Sequence, residues 1–395
     1  MKVPRKRIEE VAEVIFSNVD KISIPGERSI RLCNYTNVYY NRHIRDGLDF
    51  MQGTATDREI ERFKLRKGDV IITKDSEEAD DIAIPAYVAE DIPDLICGYH
   101  LAIIRPKKGS LDGRYLSQLL QMHSTRHYFA TLANGVTRYG LGTETISNAM
   151  LYFLSYPEQC KISDILCTWD EAAERLDALI AAKEHRKRGL TQMLLTGKKR
   201  LPGYKDKWQK FALGDLFSER VEIARTDLPL LSITADRGVI RRDELVKRDT
   251  SSEDKSKYLR ITPGDIGYNT MRMWQGVSAL STLEGIVSPA YTICVPGKKI
   301  DGKFASYFFK LPHTISLFHR YSQGLVDDTL NLKFNNFSVI EVVIPPTVEE
   351  QKAVTQILEM SDCELDILRL KRDAIESQKR GLMQQLLTGK VRVKA

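Results

Sequence analysis

Apolar residues fall into two textures along this chain. Starting at Ile162, the positions Leu166, Trp169, Ala173, Leu176 and Ile180 follow in alternating steps of four and three, and Leu190 and Leu194 resume the phase. Such spacing is a heptad seam and predicts a long amphipathic helix. A second seam, Val354, Leu358, Ser361, Leu365, Leu368, Ile375, Leu382 and Leu386, is interrupted by Arg372 and Lys379 and predicts another. Elsewhere the apolar runs are short, β-rich and bounded by Gly, Pro, Asp and Asn, as in Val70-Ile71-Ile72-Thr73 and Leu230-Leu231-Ser232-Ile233-Thr234. They predict mixed α/β globules before each helix, giving boundaries of 1–156 for the first globule, 157–207 for its helix and linker, 208–345 for the second globule and 346–395 for its helix.

The helices are copies. RGLTQMLLTGKKR, from Arg188, recurs as RGLMQQLLTGKVR, from Arg380, and the same offset carries Glu158-Gln159 onto Glu350-Gln351. From the Glu-Gln pair to the Thr-Gly ending each has room for about 58 Å of helix at ~1.5 Å per residue, longer than a compact domain needs. Thr196-Gly197 and Thr388-Gly389 supply stops, followed by cations. Gly189 and Gly381 lie inside the helices at a cost of roughly 1 kcal/mol each, which predicts a bend or a close backbone approach. The seams should bury on each other. The repeated ending either docks a second protein or simply terminates two duplicated helices. The globules echo more faintly: KLRKGDVIITKD, from Lys64, matches LRITPGDIGYNT, from Leu259, and Asp112-Gly113-Arg114-Tyr115 matches Asp301-Gly302-Lys303-Phe304. Similar helices carrying diverged globules suggest one scaffold with two different recognition surfaces.

At 395 residues the chain exceeds one core, and 42% hydrophobic with 28% charged residues is ordinary for a soluble globular protein. The net charge of +6 is compatible with nucleic acid without establishing it. Six scattered cysteines with no CxxC pair argue against a disulfide framework or zinc site and read as reduced, mostly buried thiols. No apolar run approaches membrane-spanning length, so a cytoplasmic location without membrane contact is expected. Catalytic signatures are missing: no NPPY-type or DPPY-type tetrapeptide, no Gly-rich loop for S-adenosylmethionine and no phosphate loop. Pro93-Asp94 and Glu253-Asp254-Lys255 lie in opposite halves and imply no single metal site. No catalytic residue, cofactor or metal is therefore predicted.

The order globule, helix, globule, helix resembles the specificity (S) subunits of type I DNA restriction-modification systems across essentially the whole chain. The carriers are LLTGKKRLPGY (from Leu194), LLTGKVRV (from Leu386), LGDLF (from Leu213), LLSITADRGVIRRDEL (from Leu230), YNTMRMWQG (from Tyr268) and the stretch FKLRKGDVIITKD (from Phe63). The resemblance implies an α/β (mixed α+β) fold in which two target recognition domains are separated by two long helices forming an antiparallel coiled coil, an internal repeat with pseudo-two-fold symmetry. It also implies a non-catalytic subunit that reads a bipartite site on double-stranded DNA. Expected partners are methyltransferase (M) subunits, two in number, and endonuclease (R) subunits in the full complex. An unfamiliar methyltransferase or nuclease, and a coiled-coil scaffold with no DNA role, remain as alternatives.

Base edges are read by Arg at guanine, Asn or Gln at adenine, and apolar groups at the thymine methyl. The second globule offers Asn269, Thr270, Arg272, Trp274 and Gln275 for this, with Arg237, Arg241 and Arg242 for phosphates. In the first globule the candidates are Asn34, Tyr35, Thr36 and Asn37, then Lys74 at the echo position, then Arg138 and Tyr139 in a Gly-flanked loop. The acidic run Asp75, Glu77, Glu78, Asp80 and Asp81 should face away from DNA, because phosphates repel it. His100 reads as a satisfied, partly buried histidine. For partner docking the repeated ending supplies Leu190, Leu194, Leu195, Thr196, Gly197, Leu382, Leu386, Leu387, Thr388 and Gly389. The basic cluster Lys183, His185, Arg186, Lys187, Arg188, Lys198, Lys199 and Arg200 reads as a solvated face, or as one following the DNA backbone.

Overall fold

Both seams become single helices in a computed structural model, Tyr156–Leu195 and Val348–Leu386. The structure describes residues 3–244 and 254–394; Glu253 of the acidic motif and Leu245 of the family-like stretch lie outside them. The chain forms two compact units, residues 1–178 with 370–395, and residues 179–369. Each long helix is thus shared between the units. Among the described residues no helix is long and apolar enough to cross a membrane.

In the first unit the Val70–Thr73 run is the middle strand of a five-stranded sheet ordered Ala12–Phe16, Leu101–Pro106, Val70–Thr73, Pro85–Val88, His43–Ile44. Its uninterrupted apolar character follows from cover on both faces. Period-two alternation sends Val70, Ile72, Ala102 and Ile104 into a core with Tyr115, Leu116 and Leu119, while Ile71, Leu101 and Ile103 pack with strands Arg28–Cys33 and Leu95–Cys97. In the second unit a four-stranded sheet runs Phe217–Glu219, Tyr291–Pro296, Ile266–Asn269, Ser278–Leu280. Its core is aromatic, with Phe217, Phe309, Phe318 and Phe337 around Tyr268.

The echoes between the globules are architectural. Asp69 is buried and accepts from the Arg66 amide (2.9 Å) and from Arg105 Nε and Nη2 (2.9 and 2.8 Å). Asp265 does the same with the Thr262 amide (2.8 Å) and Arg220 Nε and Nη2 (2.8 and 3.1 Å). Asp112 and Asp301 cap helices Gly113–Gln121 and Gly302–Phe308 by accepting from the Tyr115 and Phe304 amides (3.0 and 2.8 Å). Gly113 must be glycine, since a Cβ there would sit 2.1 Å from the Gly68 carbonyl oxygen.

Within each unit the start of one long helix lies beside the end of the other, an antiparallel pairing. Ile162 and Leu166 share a core with Met383, Leu386 and Leu387 in the first unit; Val354 and Leu358 share one with Leu194 and Leu195 in the second. The cation after each helix then closes on the opposite start. Arg392 donates two bonds of 2.7 Å to the Glu158 carboxylate, and Arg200 donates bonds of 2.7 and 2.9 Å to Glu350. Hydrogen bonding to Arg392 holds Glu158 below the usual carboxylate range despite its burial.

The seam departs from expectation at one turn. Trp169 is only half-buried, and its neighbour Asp170 occupies the interface opposite Lys379, the residue that interrupts the second seam. Gly189 and Gly381 also differ: both are exposed, and a Cβ at either would meet nothing within 4 Å, so neither marks a close approach. Gly381→Ala should therefore raise stability by roughly 0.5–1 kcal/mol through propensity alone, read as a higher Tm of the full chain; a lower Tm would reveal a neighbour that needs the space. The cysteines are all free, but only Cys33, Cys97 and Cys294 are buried, and Cys363 is exposed.

Candidate nucleic-acid interface

In the second unit the antiparallel strands Ile266–Asn269 and Ser278–Leu280 are joined by a hairpin loop that contains the turn Met273–Gln275 and ends at left-handed Gly276 (φ 78°). This loop carries the base-reading candidates. Met273 is wholly buried and anchors it, whereas Arg272 and Gln275 are exposed and their side chains have no hydrogen bond or ion pair among the described residues. Trp274 is half-buried, donating from Nε1 to the Met271 carbonyl (3.0 Å) and lying edge-on to His319. Two candidates have an oxygen engaged by backbone groups. Thr270 is buried and its hydroxyl donates to the Ala290 carbonyl (2.9 Å); the Asn269 side-chain oxygen accepts from the Met271 amide (3.0 Å). These two oxygens help to build the loop.

The phosphate candidates sit on a separate hairpin, Leu231–Ile233 with Val239–Arg241. Arg237 and Arg241 are exposed, Arg237 lying 3.7 Å from Glu244, while Arg242 is half-buried and donates to the Ser232 hydroxyl (3.4 Å).

In the first unit the short helix Tyr35–Tyr39 stacks Tyr35 on Tyr39 at 5.4 Å. Tyr39 donates to Asp81 (2.7 Å), and that bond, with burial, pushes its phenol up to about 12. Thr36 is exposed. Asn37 is engaged locally: its oxygen accepts from the Asn34 amide and its nitrogen donates to the Asp49 carbonyl (both 2.9 Å). Asn34 is half-buried, its amide nitrogen 3.4 Å from Met51 Sδ. Opposite this helix, Asp75 gathers three nitrogen partners: His100 Nδ1 at 2.8 Å, Arg138 Nη2 at 2.9 Å and Lys74 Nζ at 3.3 Å. Burial alone would push the Asp75 carboxyl up, but these partners outweigh it and hold it below its usual value. Lys74 is further occupied over the Phe16 ring at 5.6 Å. Tyr139 is half-buried in a ribbon with Asp75–Ser76.

The acidic run does not turn away from these candidates. Asp75, Glu77, Glu78 and Asp81 line one groove with Tyr35 and Arg138. Carboxylates there disfavour phosphate and suit the amino group of cytosine.

Sequence reasoning missed one element, the hairpin at 322–332. Its signal was the spacing from the Asp-Gly caps, which superposes Gly135-Val136 on Gly324-Leu325. The structure shows the match: the Leu141 amide donates to the Lys74 carbonyl and the Leu332 amide to the Thr270 carbonyl, both at 2.8 Å. Each hairpin is thereby docked beside the echo position of its own globule.

The partner-docking candidates have internal tasks. Leu194, Leu195, Leu386 and Leu387 are buried in the cores of their units, and Leu190 and Leu382 pack against them. Thr196 and Thr388 donate back to the Gln192 and Gln384 carbonyls, and Gly197 and Gly389 take the left-handed conformation (φ 68° and 72°) that ends each helix. Only Thr196 of this set is exposed. Part of the basic cluster is likewise spent across the helix pair, Lys183 on Glu364, Lys187 on Asp362 and Arg200 on Glu350.

No family profile matches the chain. In sequence it is 23% identical over 430 aligned positions to the putative type I restriction enzyme MjaX specificity subunit of Methanocaldococcus jannaschii, covering 98% of this chain and 93% of the relative. In fold it matches the type I restriction-modification system S subunit from M. genitalium with a TM-score of 0.59 at 13% identity, covering 98% of this chain and 96% of the other. It also matches a chain from a structure on complex assembly and conformational transition of the type I R-M system, with a TM-score of 0.56 at 14% identity, covering 99% and 100%. The chain is thus similar along nearly its whole length to a putative type I restriction enzyme specificity subunit and has the fold of a type I restriction-modification S subunit.

Proposed function

We propose that this chain is the non-catalytic DNA-recognition subunit of a type I restriction-modification complex, in which each globule reads one half of a bipartite site on double-stranded DNA. The observation that carries the reading is the duplication of architecture without duplication of surface. Asp clamps, Asp-Gly caps and helix endings repeat between the halves, whereas the exposed loops beside the echo positions differ in every side chain that could read a base. Methyl transfer and cleavage fall to partner M and R subunits, two M subunits matching the two helix copies, and the complex acts in the cytoplasm. In the second half Arg272 and Gln275 face the bases; in the first, Tyr35, Thr36 and the acidic groove with Arg138 do so. Exposed apolar residues on the second long helix, Met360 and Ile367, give an M subunit a surface that the buried leucines cannot.

The test is the methylome of cells carrying this chain with its cognate M subunit. A bipartite methylated motif is expected, and none in cells carrying the chain alone. Arg272→Ala should then cost ~1–3 kcal/mol and relax one base position in one half-site, since a bidentate guanine contact is lost. Uniform weakening across sequences would instead make Arg272 a phosphate contact.

A further inference from the structure

The two docked hairpins share a feature that neither fold nor packing explains. Val136 is 92% exposed and Leu325 is 100% exposed, so neither side chain contributes to its own core. A lone exposed apolar residue is ordinary. Here, however, one stands at the same position of both copies while the flanking residues have diverged, from Thr137-Arg138 in one to Val326-Asp327 in the other.

Both tips are held in shape. Asn134 and Gly140 exchange backbone bonds of 3.0 and 2.9 Å, and Gln323 and Asn331 exchange bonds of 2.9 and 2.8 Å. The glycine before each tip is enforced by close approach: a Cβ on Gly135 would lie 1.9 Å from the Arg138 carbonyl oxygen, and one on Gly324 would lie 2.7 Å from that of Thr329. In the second hairpin the Thr329 hydroxyl accepts from the Leu325 and Val326 amides, both at 3.2 Å. An apolar side chain is thus carried outward on a braced loop, beside Lys74 in one unit and beside the Arg272 loop in the other.

We infer that Val136 and Leu325 are specificity-determining residues, each entering the major groove of its half-site to pack on a thymine 5-methyl group. This rests on the recognition reading above. Thymine is the base whose major-groove edge carries an apolar group, the 5-methyl beside the O4 acceptor. The neighbours favour that groove over the phosphates: Asp327 would be repelled by the backbone but can accept from a cytosine amino group, and Arg138 can donate to guanine. A braced tip also loses little conformational freedom on binding, so a small contact retains its value.

The experiment uses the full chain assembled with its cognate M subunit and duplexes carrying the methylome-defined motif, with each thymine replaced in turn by deoxyuridine, which lacks only the methyl group. Wild type should lose about fourfold in affinity at one thymine position of each half-site, the value of one buried methyl. Leu325→Ala should lose a similar factor on the thymine duplex and nothing further on the uracil duplex; Val136→Ala should do the same in the other half-site. Because both side chains are solvent-exposed, neither variant should disturb folding, and an unchanged Tm checks this. The inference is overturned by a half-site without thymine, by a uracil penalty that persists in the variants, by equal weakening on every sequence, or by variants that bind as wild type. Weakened assembly with the M subunit and unchanged DNA affinity would also overturn it and make the tips partner contacts. Absence of any sequence preference in the wild-type complex would instead remove the recognition reading itself.

Discussion

Lys379→Met should destabilise the first unit by about 3 kcal/mol, at the low end of the range for breaking a buried ion pair. Lys379 and Asp170 are 2% and 1% exposed and meet at 2.6 Å across the helix pair. Water cannot reach the carboxylate to compensate for a lost partner. Burial alone would push the Asp170 carboxyl up; Lys379, Gln118 (2.5 Å) and Arg42 (2.8 Å) offset this and hold it below its usual value. Arg42 stays behind in the variant, which is why the low end of the range applies. A depressed carboxyl contributes stability that is fully present above its unfolded value of ~3.9 and is lost as pH falls through the lower folded value. Losing Lys379 removes much of that contribution, so the gap between variant and wild type should narrow on acidification. Asp170→Leu with Lys379→Met should recover most of the loss, because the desolvation cost of both charges disappears together. The equivalent pair in the second unit, Lys187 with Asp362, is 25% and 37% exposed, and Lys187→Met should cost no more than about 1 kcal/mol. Hydrogen exchange followed by mass spectrometry reads the two units separately, through helix segments 156–178 and 370–386 for the first and 179–195 and 348–369 for the second. A loss below 1 kcal/mol at Lys379 would mean that Arg42 alone satisfies Asp170.

Exchange of residues 208–345 for the corresponding segment of another S subunit should replace one half of the methylated motif and leave the other half intact. Preference for the old half-site should fall on the order of 10³-fold, the scale separating specific from non-specific binding. The segment enters and leaves the scaffold at neighbouring points, because Gln209–Ala212 pairs with Glu341–Ile344 in antiparallel register. The first globule is closed in the same way, Arg5–Arg7 pairing with Met150–Tyr152. The glutamine near the start of each long helix grips backbone, while side-chain bonds such as Lys303 to Glu359 add to it. Gln351 accepts from the Asp301 amide (2.8 Å) and donates to the Lys299 and Pro345 carbonyls (both 3.0 Å); Gln159 accepts from the Asp112 amide (2.9 Å) and donates to the Ser110 and Leu154 carbonyls (3.3 and 2.9 Å). An anchor that reads only main-chain atoms tolerates a changed globule, provided its apolar residues still meet Leu194, Leu195, Val354 and Leu358. Motif mapping by methylome sequencing decides the matter: a change in both halves, or in neither, would show that the globules do not read independently.

The sequence by itself determined the architecture that repetition and periodicity can encode. Two long helices, their Thr-Gly endings and the Gly-Asp turns were legible because each rests on local hydrogen bonding or a sustained apolar period, and the Asp-Gly echo was visible without its capping role. At one turn the phase failed, since a heptad reading cannot say whether Trp169 or Asp170 faces the partner helix when a buried lysine lies opposite. Composition also nominated Arg272, Gln275, Tyr35 and Thr36 as readers, and the structure leaves their side chains exposed or lining a groove. Only tertiary structure decided the rest. Thr270, Asn269 and Asn37 have side chains suited to base edges, yet backbone groups distant or adjacent in sequence already bond the Thr270 hydroxyl, the Asn269 oxygen and both polar atoms of Asn37, and no residue type announces such bonds. The leucines of the repeated ending could equally have faced a partner, because an apolar stripe states what must be covered and not by what. The acidic groove and the two hairpin tips needed folding to bring together segments as far apart as Tyr35, Asp75 and Arg138, and such proximity depends on long-range packing that a single sequence does not display.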